Sequence, residues 1–326
     1  MKKVSTTIWL TFALSTLSLA DAGWAQEMTE TQDFTVTLLG TGTPIPNIER
    51  FGPSTLVEVG NQKLLFDSGR GATIRLAQLG IPVADVTAVF LTHFHSDHVN
   101  GLADMWLTGW IYPPDHRRTK PFEVYGPIGT LDMMTQLEVA HAADIRMRIA
   151  DEKLPPSGIA INSHDVTEGV IYDHEGVRVT VFDVDHGELI KPSLGYRIDY
   201  HGYSVVLSGD TRLSTNLIKY AKDTDVLIHE VATVSPDMLA QSKIVRRIMD
   251  HHSSPEDAGR VFSESGARLA VYNHIIFFGY KDTQTGLSEL IRKTRTTYTG
   301  KLEVGSDLMS IEVSDMPRIL RPGQTQ

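Results

Sequence analysis

Leu91-Thr92-His93-Phe94-His95-Ser96-Asp97-His98 gathers three histidines and an aspartate into six residues. The apolar run Ala88–Leu91 before it reads as a buried strand, and the segment after it has helical spacing, so the stretch is expected on a strand-to-helix loop. Side chains two apart on extended backbone point the same way, which aims His93 and His95 together. Asp97 and His98 then turn toward a neighbouring point. Imidazole nitrogens and a carboxylate clustered this closely suit one or two borderline metal ions such as zinc. The bland alternative is a loop that happens to be rich in histidine; with 13 histidines in 326 residues, that coincidence is a poor account.

The rest of the composition bounds the chemistry. The chain is 41% hydrophobic and 21% charged, which excludes a disordered, collagen-like or coiled-coil protein. Lys plus Arg is 30 against 40 Asp plus Glu, a net charge of -10, and proteins that neutralise nucleic-acid phosphates usually carry the opposite balance. No cysteine is present, so disulfides, thiolate nucleophiles, iron–sulfur clusters and cysteine-held zinc are excluded. The chain begins Met1-Lys2-Lys3, continues without a charge from Val4 to Ala20, and reaches small residues at Ala22, Gly23 and Ala25. That is the pattern of a secretory signal peptide cut after Ala25 or Ala22. The expected organisation is a signal peptide at residues 1–25 and a single domain at 26–326, periplasmic or secreted, with no membrane contact after cleavage.

Strands are predicted at Thr35–Leu39, Thr55–Val59, Lys63–Phe66, Ala88–Leu91, Phe122–Tyr125, Val177–Val184, Leu194–Asp199, Ser204–Leu207, Val226–Ile228, Leu269–Val271, Lys301–Val304 and Ser310–Val313. Helices are predicted at Ala72–Leu79, Thr130–Ile149, Pro236–Met249, Pro255–Glu264 and Gly286–Lys293. Groups of strands interrupted by helices give an α/β or α+β class and no more.

His93–His98 matches His-x-His-x-Asp-His without a gap and resembles the signature of the metallo-β-lactamase superfamily. The resemblance implies an α/β fold, a four-layer αβ/βα sandwich of two mixed sheets flanked by helices. It extends along most of the chain. Asp67 in Leu65-Phe66-Asp67-Ser68-Gly69 matches a supporting aspartate at a strand end, His186 in Asp185-His186-Gly187 the third histidine, Asp210 in Ser208-Gly209-Asp210-Thr211 a bridging aspartate, and His274 in Tyr272-Asn273-His274 the last ligand. By resemblance, one metal would take His93, His95 and His186, the other Asp97, His98 and His274, with Asp210 between them. Two zinc ions are implied, with manganese or iron as alternatives.

Leu227-Ile228-His229-Glu230-Val231 and His251-His252-Ser253-Ser254-Pro255 resemble motifs of the ribonuclease Z and arylsulfatase branch. There Glu230 and His252 would form a proton-transfer pair, with His251 as runner-up; a carboxylate beside an imidazole raises its pKa and makes it a usable acid. With Asp97 they are the expected catalytic residues. The chain departs from ribonuclease Z in one respect: only residues 187–209 separate His186 from Asp210, too few for the long arm that grips transfer RNA. With the acidic charge and the leader, this favours an exported hydrolase of a small phosphodiester or sulfate ester, attacked by a hydroxide shared between the metals. A small-molecule ester is the expected partner, no nucleic acid is expected, and a homodimer is implied by analogy with the branch. The alternatives are a lactone or β-lactam hydrolase, an iron-dependent oxidative enzyme on the same scaffold, and a binding module without catalysis. Met105, Trp106, Trp110 and Tyr112, or Phe277, Phe278 and Tyr280, are candidate walls of the pocket.

Overall fold

The computed structural model describes residues 34–111 and 113–320. The expected signal peptide and Tyr112 lie outside the described residues. In chain order the first strands are Phe34–Gly40 (β1), Ser54–Val59 (β2), Gln62–Phe66 (β3), Ala88–Phe90 (β4), Phe122–Gly126 (β5) and Ile161–Asp165 (β6). Then follow Gly169–His174 (β7), Val177–Asp183 (β8), Leu194–Tyr200 (β9), Tyr203–Leu207 (β10), Val226–Val234 (β11), Leu269–Phe278 (β12) and Leu302–Val304 (β13). Met309–Glu312 (β14) and Arg318–Leu320 (β15) return to the first group.

They form two sheets, in the orders β15-β14-β1-β2-β3-β4-β5-β6 and β13-β12-β11-β10-β9-β8-β7. Both are mixed: β3 to β6 pair parallel beside the antiparallel β1–β3 meander, and β10 to β13 pair parallel beside antiparallel β7–β10. The helices are Ala72–Gln78 (α1), Ser96–Val99 (α2), Leu102–Ile111 (α3), Thr130–Asp151 (α4), Pro156–Ile159 (α5), Thr215–Tyr220 (α6), Pro236–Gln241 (α7), Lys243–Met249 (α8), Pro255–Ser265 (α9) and Thr283–Thr294 (α10).

The strand alternation explains the layering. Val36, Leu38, Leu64 and Phe90 of the first sheet meet Val179, Ile198, Val205 and Val271 of the second in a central core. The opposite faces, Leu39, Leu65 and Val89 on one sheet and Val206, Leu227 and Ala270 on the other, pack under helices. Leu76, Trp106 and Met134 cover the first sheet, and Leu217, Val261, Phe262 and Leu290 cover the second. This is the four-layer αβ/βα arrangement expected from the signature.

Two local readings change. The helix expected over Pro236–Met249 breaks at Ser242, whose side chain caps a new start by accepting from Val245 N at 3.2 Å. Trp106 and Trp110 are core, not pocket wall: both are fully buried and their indoles donate to the carbonyls of Ile159 and Pro155 at 2.9 Å. Met105 is buried with them. Among the described residues no helix is long and apolar enough to cross a membrane.

Candidate metal centre and cleft

The site lies where both sheets end. After β4 the chain carries His93 and His95 on the connecting loop, with His95 on extended backbone, and enters α2 with Asp97 and His98. Asp67, just after β3, adopts a left-handed φ of 58° and holds this loop. Its carboxylate accepts from Thr92 N at 2.8 Å, from Thr92 Oγ1 at 2.9 Å, and from His98 Nδ1 at 2.7 Å. A carboxylate on Nδ1 leaves Nε2 of His98 free to ligate and fixes the ring's orientation.

The second sheet contributes one residue per loop. His186 follows β8, and its Nδ1 donates to the carbonyl of His251 at 2.8 Å, turning Nε2 to the centre. Asp210 follows β10 through Gly209, whose φ is 60° and whose position leaves no room for a side chain: a Cβ would fall 2.3 Å from the Leu194 carbonyl. His274 sits inside β12 at a bulge, with φ 42°, where the register with β11 shifts between Glu230 and Val231.

Ligand atoms of His93, His95, His186 and Asp210 all lie within 4.8 Å of one another, as do those of Asp97, His98 and His274. Asp210 Oδ2 is common ground: it is 3.9 Å from His93 Nε2, 3.4 Å from His98 Nε2, 3.8 Å from His186 Nε2 and 3.4 Å from His274 Nε2. His274 Nε2 also lies 3.3 Å from Asp97 Oδ2. All seven residues expected at the centre are therefore brought together. Nε2 of His93 and of His98 is buried without a hydrogen-bond partner, an arrangement that costs free energy unless something else fills it. The residues fit a metal ion: nitrogen and carboxylate donors, convergent, with unpartnered lone pairs.

Burial keeps several of these rings neutral and so able to donate a lone pair. It pushes His186 down to about 4 and His93 well below the ordinary histidine range, and lowers His95 as well. His98 goes the other way: burial opposes its charge, but Asp210 and Asp67 together raise it well above the usual value.

Beside the centre, His252 Nδ1 lies 3.2 Å from Glu230 Oε2. Burial alone would lower His252, and the charge and hydrogen bond of Glu230 outweigh it, so the ring titrates above its ordinary value. Glu230 is held in place at its other oxygen, which accepts from Ser253 N at 2.8 Å and Thr211 N at 3.3 Å. A ring nitrogen of His252 also falls within 4.8 Å of ligand atoms of Asp210 and His274. His251 borders the same space with Nδ1 unpartnered.

A cleft of about 500 Å³ opens from the centre. Its walls are Pro44, Ile45 and Pro46 on one side and Ile248, Ile276, Phe277 and Phe278 on the other, so the Phe277–Phe278 expectation holds for two of its three members. Tyr280 instead bonds Thr233 Oγ1 through its hydroxyl at 2.8 Å. The loop between β1 and β2 escaped the sequence reading. Its Gly, Pro and Asn residues marked only a break between strands, although long loops beside a rigid scaffold often carry function. His116, His164, His174 and His201 are exposed and His141 half-buried, as expected of histidines outside the site.

A family profile described as "Beta-lactamase superfamily domain" matches residues 62–275. The chain is 36% identical over 282 residues to a protein of Mycobacterium sp. (strain KMS) named Ribonuclease Z, covering 85% of this chain and 95% of that one. A Ribonuclease Z of Mycobacterium marinum is 36% identical over 288 residues, with 98% of its length covered. Among solved structures, human tRNase Z, short form, has a TM-score of 0.64 at 21% identity, over 86% of this chain and 99% of that one. YhfI of Bacillus subtilis has a TM-score of 0.64 at 18% identity over 86% and 99%. At those identities the structures speak for the fold alone.

The relatives overturn two expectations, the small phosphodiester or sulfate ester as substrate and the absence of a nucleic-acid partner. Ribonucleases match this chain across nearly their whole length. The net charge of -10 describes the whole surface and not the field at the cleft. The short span between His186 and Asp210 fails as a criterion too, because an alignment of 282 residues that takes in 85% of this chain leaves little space for a long arm in the relative. The profile match and the near-full-length relatives, together with the ligand order and the two-sheet fold, show that the chain belongs to the metallo-β-lactamase superfamily, in the branch of its ribonuclease Z relatives.

Proposed function

We propose that the protein is a metal-dependent ribonuclease of the ribonuclease Z type, cutting a phosphodiester bond of a precursor transfer RNA. The observation that carries the reading is the meeting of seven nitrogen and carboxylate residues, Asp210 among them, at the floor of an open cleft; the relatives' name, Ribonuclease Z, supplies RNA as the class of substrate. His93, His95 and His186 would hold one ion, Asp97, His98 and His274 a second, with Asp210 shared, and the donor set suits zinc. Two such ions would supply a nucleophile from water at neutral pH and neutralise charge on the phosphoryl oxygens.

The chain's own residues do the rest. Asp67 and the His251 carbonyl fix two ligand rings through Nδ1. Glu230 holds a proton on His252, which is placed to deliver it to the departing oxygen. The apolar walls exclude water and offer flat surfaces to bases.

The test is cleavage of a precursor transfer RNA by the purified protein, with metal content measured on the same preparation. Cleavage that stops on chelation, returns with zinc, and falls at least about a thousandfold in Asp210→Ala with loss of bound metal is the expected result. RNA left uncut by metal-loaded protein would overturn the reading.

A further inference from the structure

We infer that Asp307 is a positioning residue for the substrate wall: it ties the base of the 42–51 loop shut and thereby sets the loop's tip beside the metal centre. The inference rests on the ribonuclease reading for its substrate and on geometry for its site. Asp307 lies between β13 and β14, far from the ligands in sequence, with its side chain only 4% exposed. One carboxylate oxygen accepts from Thr41 N at 2.9 Å and Thr41 Oγ1 at 2.8 Å. The other accepts from Phe51 N and Arg75 Nη2, both at 2.7 Å.

Thr41 and Phe51 are the two ends of the loop, and Gly42 N donates to the Phe51 carbonyl at 2.7 Å to close it. Arg75 comes from α1 and lies 3.9 Å over the Phe51 ring. Arg50 adds bonds from Nη1 to Thr41 Oγ1 at 2.7 Å and to the Gly305 carbonyl at 2.8 Å. On the inner side the Thr41 carbonyl accepts from Ile275 N at 3.1 Å, the residue after His274.

Above this knot the situation reverses. Pro44 to Glu49 are exposed, and the side-chain hydrogen bonds of the tip stay within it, Ile45 N to Thr43 Oγ1 and Glu49 N to Asn47 Oδ1. Yet Pro44, Ile45, Pro46 and Asn47 form one side of the cleft that His95 and Asp97 floor. A wall with no ties of its own is placed by its base. Four donors on one buried carboxylate cannot all be served by an amide, because the NH2 group of an asparagine would face two of them.

Asp307→Asn is compared with the parent protein, with Thr41→Val as a second variant that removes the hydroxyl donating to Asp307 and accepting from Arg50. The readouts are KM and kcat on precursor transfer RNA and on bis-p-nitrophenyl phosphate, zinc content, and the rate of tryptic cutting after Arg50. Expected are about a tenfold rise in KM for RNA, kcat and zinc within twofold, little change on the small diester, and tryptic cutting at least about tenfold faster. A matched fall in kcat on both substrates with loss of zinc would overturn the inference, as would unchanged KM and cutting. A parent protein that turns over the small diester but leaves RNA intact ends the ribonuclease reading, and the tryptic comparison then decides on Asp307 by itself.

Discussion

The first sheet delivers its four candidate ligands from a single segment, His93–His98, whereas the second delivers His186, Asp210, Glu230, His252 and His274 one at a time from three connections, the buried strand β11 and a bulge in β12. The first half is braced locally: Asp67 on the neighbouring strand end grips both Thr92 and His98. The second half is braced by its own loops, with His186 bonded to the backbone of His251 and Glu230 to the backbone of Ser253 and Thr211. A contiguous motif can be oriented by one carboxylate. A dispersed one needs each loop to hold the next, so its parts differ in what they cost to lose.

That contrast can be broken or sharpened by substitution. The largest effect beyond loss of a ligand is expected in the dispersed half: His252→Ala should lower kcat on RNA by about 10²–10⁴-fold. The loss on bis-p-nitrophenyl phosphate, whose leaving group needs no proton, should be far smaller, and equal losses on both would remove His252 from the acid role. In the contiguous half, Asp67→Ala should weaken metal binding by about 10–100-fold with the ligands all present, read by competition with a chelator. Glu230→Gln should shift a pH profile. His252 works protonated and Glu230 raises its pKa, so rate is lost as pH rises through that value; removing the charge moves this alkaline limb to lower pH. The smallest effect is Ser254→Ala, which removes the cap at 3.1 Å from Asp257 N on α9 and should cost about 1 kcal/mol in denaturant unfolding with most activity kept.

Most of the two central sheets was legible in the sequence because their strands are buried on alternating or on both faces. The three strands that escaped, β6, β7 and β15, are all at sheet edges. Ile161–Asp165 and Gly169–His174 are half-exposed and carry Asn, Ser, His and Asp, since an edge faces water and tolerates polar residues that hide its pattern. The site produced the opposite error. β11 and β12 were expected to stop at Ile228 and Val271, where polar His229-Glu230 and Asn273-His274 begin, yet both strands run on, to Val234 and Phe278. Function had written polar residues into buried strands, and hydrophobic patterning ends where the chemistry starts. Asp307 gave no signal at all, because its three partners, Thr41, Phe51 and Arg75, come from distant segments and only the folded chain joins them.

The bulge at His274 works as a change of phase. Before it, Ala270 and Tyr272 point to the helix layer while Leu269 and Val271 point to the central core; after it, Ile275 and Phe277 take the helix side, with parity reversed. One strand thus serves two compartments on either side of a single residue, and that residue is the ligand. Deleting His274 would take away the ligand and the bulge together and restore strict alternation with Ile275 and Phe277 still on the helix side, whereas adding one residue just after it would keep the ligand and turn the downstream side chains, Phe277 and Phe278 of the cleft wall among them, to the opposite face. The letter at position 274 thus sets the metal centre, and the count of residues beyond it sets the cleft wall.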